Sequence, residues 1–215
     1  MIRSAQRHGA ILTIVVVGVT WLIGAFAIVN FVASPVVPSD RFWGADSREA
    51  VSAESYDSLN SMRDSADAVV LGQVARATEG RSYVADPAMA SAGTARFLVL
   101  HFVVERGIRG PFQAGDIVPV EILVRSEEVL KDMTASPPPE RSILFLRNKG
   151  AEAAALGYAN SFVQGEAPYF RLVHHTQGVI RDVRGRVALH PAAEDGFLTK
   201  LEGTSFDSVV QALVN

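Results

Sequence analysis

The chain has 215 residues, a formal net charge of −3, 48% hydrophobic residues and no cysteine. That length suits one principal domain with appendages. The missing cysteines exclude disulfides, thiolate metal sites and a cysteine nucleophile. Arg3 and Arg7 sit at the N-terminus, so the remainder is more acidic than the whole. A mildly acidic domain without a basic stripe argues against nucleic acid as a partner, because phosphate neutralisation supplies most of that affinity.

Residues 1–9 carry Arg3 and Arg7 and are read as a short cytoplasmic terminus. No charged residue occurs between Gly9 and Ser39, and Ala10 to Ala33 reads "AILTIVVVGVTWLIGAFAIVNFVA". At about 1.5 Å per residue this run exceeds the roughly 30 Å of a bilayer core. Apolar residues occur on every face, which separates it from an amphipathic globular helix. It is also longer than the apolar region of a cleaved signal peptide, about 7–15 residues. The small-x-small triplets Ala25-Phe26-Ala27 and Val32-Ala33-Ser34 lie inside the run and before Pro35. Residues 10–33 are therefore expected to form an uncleaved transmembrane signal anchor. Arginine before the span and mixed charge after it predict a cytoplasmic N-terminus and an extracytoplasmic C-terminal domain in the cell membrane.

Residues 34–54 contain Pro35, Pro38, Gly44 and scattered Ser and Asp, the composition of a tether. Within them, Phe42-Trp43 has two readings, a headgroup anchor or a contact with the domain's own surface. Residues 55–215 are the expected domain. Tyr56, Leu59 and Met62 share one helical face, with Ser55 as N-cap. The chain then enters "AVVLGQVAR", the first strand. "ARFLVLHFVVERGI" is long enough for a curved strand, and "RGPFQAGD" is a turn. In "IVPVEILV", Pro119 removes a ladder donor and suggests an edge or a bulge. "EEVLKDM" has room for at most two turns of helix. "SILFLRNK" is a short buried run, and "YFRLVHHTQGVIRDVRGRVALHP" reads as strands broken at Thr176-Gln177 and Arg184-Gly185. Phe206, Val209, Val210 and Leu213 make a C-terminal helix capped by Thr204 or Ser205. Strands outnumber helices and no helical pattern alternates with them. The expected fold is mainly β, a small antiparallel barrel or sandwich with flanking helices.

"SADAVVLGQV", "VVERGIRGPFQAGDIVPVEI", "SILFLRN" and "QGVIRDVRGRVAL" stand in an order that resembles bacterial, actinobacterial-type exported and membrane-anchored proteins of unknown function. The same order resembles the netrin-like module of tissue inhibitors of metalloproteinases, an OB-type barrel. The likeness covers about Ser65 to Leu189. It implies an OB-like barrel and carries no catalytic motif. The inhibitors chelate a target's zinc through an N-terminal cysteine, and this cysteine-free chain cannot share that mechanism. "PPERSILFL" also departs from the Gly-Glu and aromatic that introduce the strand in the family pattern.

Chemistry-bearing motifs are few. His101, His174, His175 and His190 are the weak candidates for a metal site. They lack a His-x-His or His-x-x-x-His spacing, and adjacent His174 and His175 would point to opposite faces of a strand. No Gly-x-Ser-x-Gly elbow or phosphate loop is present. No catalytic residue and no cofactor is assigned. The two long connections read at Ala77–Ala95 and Arg125–Arg141 are where binding residues would lie. The functional expectation is a membrane-anchored extracytoplasmic module that binds a protein or cell-envelope partner. The alternatives are a protease-regulating module acting through its loops and a histidine-based metal protein or enzyme.

Overall fold

The computed structural model describes residues 39–44, 55–84, 94–124, 126–193 and 196–215. The apolar run at residues 10–33 lies outside them, and with it the expected membrane span. Among the described residues, no helix is long and apolar enough to cross a membrane.

The described chain is mainly β, one seven-stranded sheet with flanking helices. Helix α1 (Ser39–Gly44) comes first, followed by α2 (Leu59–Ser65). Strands β1 (Ala68–Val84), β2 (Thr94–Arg109) and β3 (Ile117–Val124) precede α3 (Glu127–Ala135). Strand β4 (Arg141–Asn148) leads into α4 (Lys149–Ala155) and α5 (Asn160–Glu166). Strands β5 (Phe170–Leu172), β6 (Val179–Val183) and β7 (Arg186–Ala188), then α6 (Phe206–Val214), complete the chain.

The hydrogen-bonded order is β1-β2-β3-β5-β4-β6-β7, and β4 also pairs with β1. Following β1, β2, β3, β5 and β4 therefore leads back to β1. All pairings are antiparallel except β3 with β5, which meet in parallel at Val120 and Phe170. Strand β1 serves two neighbours because it is long and bent. Its first part, Ala68 to Gln73, pairs with β4, whereas β2 follows it to Val84 through four register shifts. Each shift adds local twist. Gly72 sits at one of them, where a Cβ would lie 2.0 Å from the Val103 carbonyl oxygen.

Two apolar layers share these strands. Val70, Leu98, Leu100, Phe102, Val120, Leu144 and Leu146 form one with Phe42 and Trp43 of α1 and Leu130 and Met133 of α3. Val69, Leu71, Ile143, Phe145 and Ile180 form the other with Met62 of α2 and Phe206, Val209, Val210 and Leu213 of α6. Successive strand residues face opposite ways. The unbroken runs "AVVL" and "ILFL" therefore mark strands that are covered on both faces.

Several local expectations change. The stretch read as a tether contributes α1, whose Phe42 and Trp43 are buried in the domain. Helix α2 is capped by Ser58 rather than Ser55, because Ser58 and Ser61 form a reciprocal capping box. Most of the connection read at Ala77–Ala95 is strand, since β1 continues to Val84 and β2 begins at Thr94. Helix α3 has nine residues, capped by Ser126, and is longer than two turns.

Gly72→Ala is expected to destabilise the domain by about 1–3 kcal/mol through backbone overlap with Val103. A denaturant midpoint lowered at unchanged slope is the measurement that checks it.

Candidate functional site

Outward-facing residues of β1, β2 and β3 form the floor of a site. Arg81 and Tyr83 are two apart on β1 and so share a face. On β2 and β3, Val99 stands opposite Glu121 and Phe97 opposite Leu123. Glu121 is an anomaly within "IVPVEILV", a carboxylate buried in an apolar strand.

The β4–β5 connection supplies the other half. Asn148 begins it as a cap: its side chain accepts from Ala151 N at 2.8 Å and donates to the Ala167 carbonyl at 2.8 Å. A Cβ at Gly150 would lie 2.6 Å from Ala167 Cα, so α4 and the end of α5 can approach closely only with glycine there. Gly157, at φ 78°, reverses the chain between the two helices. Lys149 and Glu166, at the two ends of this excursion, are thereby brought to the same place.

Four charges meet there. Arg81 Nε is 3.0 Å from Glu121 Oε1, and its Nη2 is 2.6 Å from Glu121 Oε2. The same Nη2 donates to Glu166 Oε2 at 2.9 Å, while Nη1 donates to Glu166 Oε1. Lys149 Nζ lies 2.5 Å from Glu121 Oε2 and 3.0 Å from Glu166 Oε2. Tyr83 adds its hydroxyl to Glu166 Oε1 at 3.3 Å. The guanidinium stacks 4.6 Å from the Tyr169 ring centre, and Lys149 sits 4.6 Å over Phe97.

This is a closed set: two cations, two anions, and every carboxylate oxygen engaged. Neither glutamate has an idle oxygen to offer as a base. Hydrogen bonding from Arg81, then from Lys149, outweighs burial and holds the Glu166 carboxyl at about 2, so it is not a proton donor near neutrality. Glu166 also raises the Arg81 guanidinium further above its ordinary range, with Glu121 second. The cluster secures α4 and α5 against the sheet. A further pair, Arg171 Nε to Glu152 Oε2 at 2.7 Å, ties β5 to α4 and lowers the Glu152 carboxyl.

Above this floor lies a groove of about 350 Å³ lined chiefly by Tyr83, Phe97, Leu156, Tyr158 and Phe162. Leu156 and Tyr158 are 70% and 55% exposed. The Tyr158 and Phe162 rings lie 5.0 Å apart, and Tyr83 meets Phe97 edge-on at 5.9 Å. Exposed aromatics grouped on a rigid base are the kind of surface that binds partners. A second groove, between β1–β2 and α3, is lined by Glu79, Arg96, Glu127 and Lys131. Its charges lie on the surface and pair with one another, Lys131 with Glu127 at 2.7 Å, which contributes little net free energy.

The histidines are dispersed among other tasks. His101 on β2 bonds Thr78 across the strands at 3.0 Å, and burial, followed by Arg76, lowers its pKa. His174 and His175 do not point to opposite faces; their rings stack 4.8 Å apart. The reason is that β5 ends at Leu172, and both residues lie in the bend that follows, where strand alternation no longer holds. His174 Nδ1 accepts from the Thr176 and Gln177 amides, each at 3.2 Å. His190 is buried beyond β7, with Nδ1 accepting from Ala192 N at 3.1 Å. Among the described residues, no three His, Cys, Asp or Glu side chains gather into a metal-holding group.

Sequence reasoning missed Arg81, Glu121, Lys149 and Glu166. One signal was legible, a charged residue at the centre of an apolar strand. The partners were not, because they come from three other elements. No family model, characterised protein or solved structure matches the chain.

Glu166 is held below its ordinary value, so its contribution to stability is complete above about pH 4.5 and lost as pH falls toward about 2. Unfolding free energy measured from pH 6 to pH 2 is expected to fall more steeply in the wild-type chain than in Glu166→Gln, the excess being at most about 3 kcal/mol. Parallel profiles would contradict the role given to this ion cluster.

Proposed function

We propose that the chain is a single-pass membrane protein whose extracytoplasmic head is an OB-type barrel that binds a protein partner. Support for the span comes from the uncharged Ala10–Ala33 run and the arginines before it. Support for the barrel comes from the pairing circuit β1-β2-β3-β5-β4-β1. OB-type barrels bind over strands 2 and 3, between the β1–β2 and β4–β5 connections. In this chain that region holds the aromatic groove, flanked by the end of the β1–β2 ribbon and by α4–α5.

The single observation that carries the binding reading is the saturated floor beneath an apolar groove. With its charges paired internally, the site offers few hydrogen-bonding groups to a sugar and no net charge to an anion. It favours an aliphatic or aromatic side chain presented by a polypeptide. The cluster is equally unsuited to proton transfer, which sets an enzymatic reading behind a binding one.

A photo-crosslinking residue in place of Leu156, within the full-length chain in its own membrane, is expected to give protein adducts that Tyr158→Ala and Phe162→Ala reduce at least tenfold. The same residue in place of Ser208 on α6 is the control. Adducts restricted to lipid or glycan, or equal at both positions, would overturn the reading. A captured protease would favour the protease-regulating alternative at the same groove. Because the chain lacks cysteine, Ser208→Cys tests its sidedness directly: an impermeant maleimide is expected to label it on intact cells.

A further inference from the structure

Strand β3 is paired along one side and open along part of the other. Val104 N donates to the Asp116 carbonyl at 2.9 Å, and the Val104 carbonyl accepts from Gly115 N at 2.8 Å. Val104 therefore turns both backbone groups toward β3. From there the register runs without a shift, from Val103 opposite Ile117 to Arg96 opposite Val124. In an antiparallel ladder, residues that exchange bonds with the neighbour alternate with residues that face away from it. Val118, Val120, Ile122 and Val124 thus bond to β2, while Ile117, Pro119, Glu121 and Leu123 present their backbone groups to the far edge. Pro119 fits this phase, because its missing N–H falls where the β2 ladder needs none.

Strand β5 covers that edge only in part. It meets β3 at Val120 and Phe170, a parallel bridge that uses the groups flanking Val120 and reaches no further than Glu121. Among the described residues, no strand pairs with Leu123 on this side, and the residue is 43% exposed. Its N–H and C=O form an open donor and acceptor. Free edges are usually blunted by charge, bulges or proline. The open edge of β1 beyond Gln73 obeys this, with Arg76, Glu79 and Arg81 and repeated register shifts. Ile122–Val124 has no charge, no proline and no shift. The Leu123 side chain also faces the groove side, since Phe97 stands opposite it and directly opposed residues share a face. Tyr83 meets Phe97 edge-on. An apolar row therefore crosses three strands, from Tyr83 to Phe97 to Leu123, and ends at the open backbone groups.

Resting on the groove reading above, we propose that the partner binds as an extended, uncharged peptide segment that adds a strand to β3 at Leu123. Its backbone gives a carbonyl to the Leu123 N–H and an N–H to the Leu123 carbonyl. The partner residue beside Leu123 prolongs the apolar row as its fourth member. The complementarity is one of partial charges, a donor and an acceptor on each side, next to a floor whose full charges are already paired. Main-chain bonds fix the direction of the segment, and the groove selects its side chains. A helix cannot meet the same groups, because its own backbone bonds are internal.

Capped heptapeptides of randomised uncharged sequence, selected on the full-length chain in lipid nanodiscs, test this. Those whose binding is weakened by Tyr158→Ala and Phe162→Ala are the groove-bound ones. Methylating one particular backbone nitrogen of such a peptide is expected to lower its affinity about tenfold, and methylating the adjacent ones to cost less. Leu123→Pro removes the edge donor and spares the β2 ladder, as Pro119 does, and is expected to cost about tenfold as well. Leu123→Val keeps both backbone groups and is expected to stay within about fourfold. With peptide bound, the Leu123 amide gains protection from hydrogen exchange. If Leu123→Pro does not fold, the methylation scan and the amide protection decide alone. Groove-bound peptides that tolerate methylation at every position and leave the Leu123 amide unprotected would overturn the proposal while the groove reading stands. A library without groove-bound members would overturn both. Self-association abolished by Leu123→Pro, without peptide binding, would overturn it in favour of a second copy at this edge.

Discussion

The arrangement depends on one set of contacts, the quartet in which the half-buried cations Arg81 and Lys149 meet the buried carboxylates Glu121 and Glu166. A strand pattern can place Glu121 on the outer face of β3, but nothing in that strand neutralises it. Its charge is tolerable only because Arg81 arrives from β1 and Lys149 from the start of α4. Glu166, at the end of α5, faces the same requirement and meets it with the same two cations. Removing either cation leaves buried carboxylate charge short of its partner, at the cost of its desolvation. The β4–β5 excursion is therefore held in one place on the sheet, and the aromatic groove is the gap it leaves. Binding surface and structural floor have a common origin.

The rest of the fold follows from strands that serve two layers. Strand β1 presents Val70 to one apolar cluster and Val69 to the other. Helices α2 and α6 cover the second, while α1 and α3 contribute to the first. Gly72 lets β1 bend sharply enough to leave β4 and continue with β2. The ribbon beyond that bend carries Arg81 and Tyr83 to the site.

How much of this was legible depended on the range of the interactions. Strand runs, the turn at Arg184-Gly185 and the cap at Ser205 are local, and the residues that make them are neighbours in sequence. Residues 149–168 gave no clear signal because α4 and α5 are seven-residue helices, too short for a convincing period. The β1–β2 connection was overestimated because "ATEGRSYV" is polar, although a ribbon paired on one side tolerates polar residues well. His174 and His175 were misplaced for a related reason: alternation was assumed past the point where β5 stops. Phe42-Trp43 had two readings in the sequence, and their burial in the first apolar layer favours packing on the domain over a place at the headgroups. The site itself needs contacts spanning 85 residues between Arg81 and Glu166, a range that no window-based reading reaches.

The most direct test of the central claim is a double-mutant cycle on Arg81 and Glu166, using Arg81→Met and Glu166→Gln with unfolding free energy as the readout. The two residues share a bidentate contact that is partly buried, so the account predicts a coupling of about 1–3 kcal/mol. Effects that add within about 0.3 kcal/mol would mean that the quartet does not hold α4 and α5 to the sheet, and the groove would lose its physical basis.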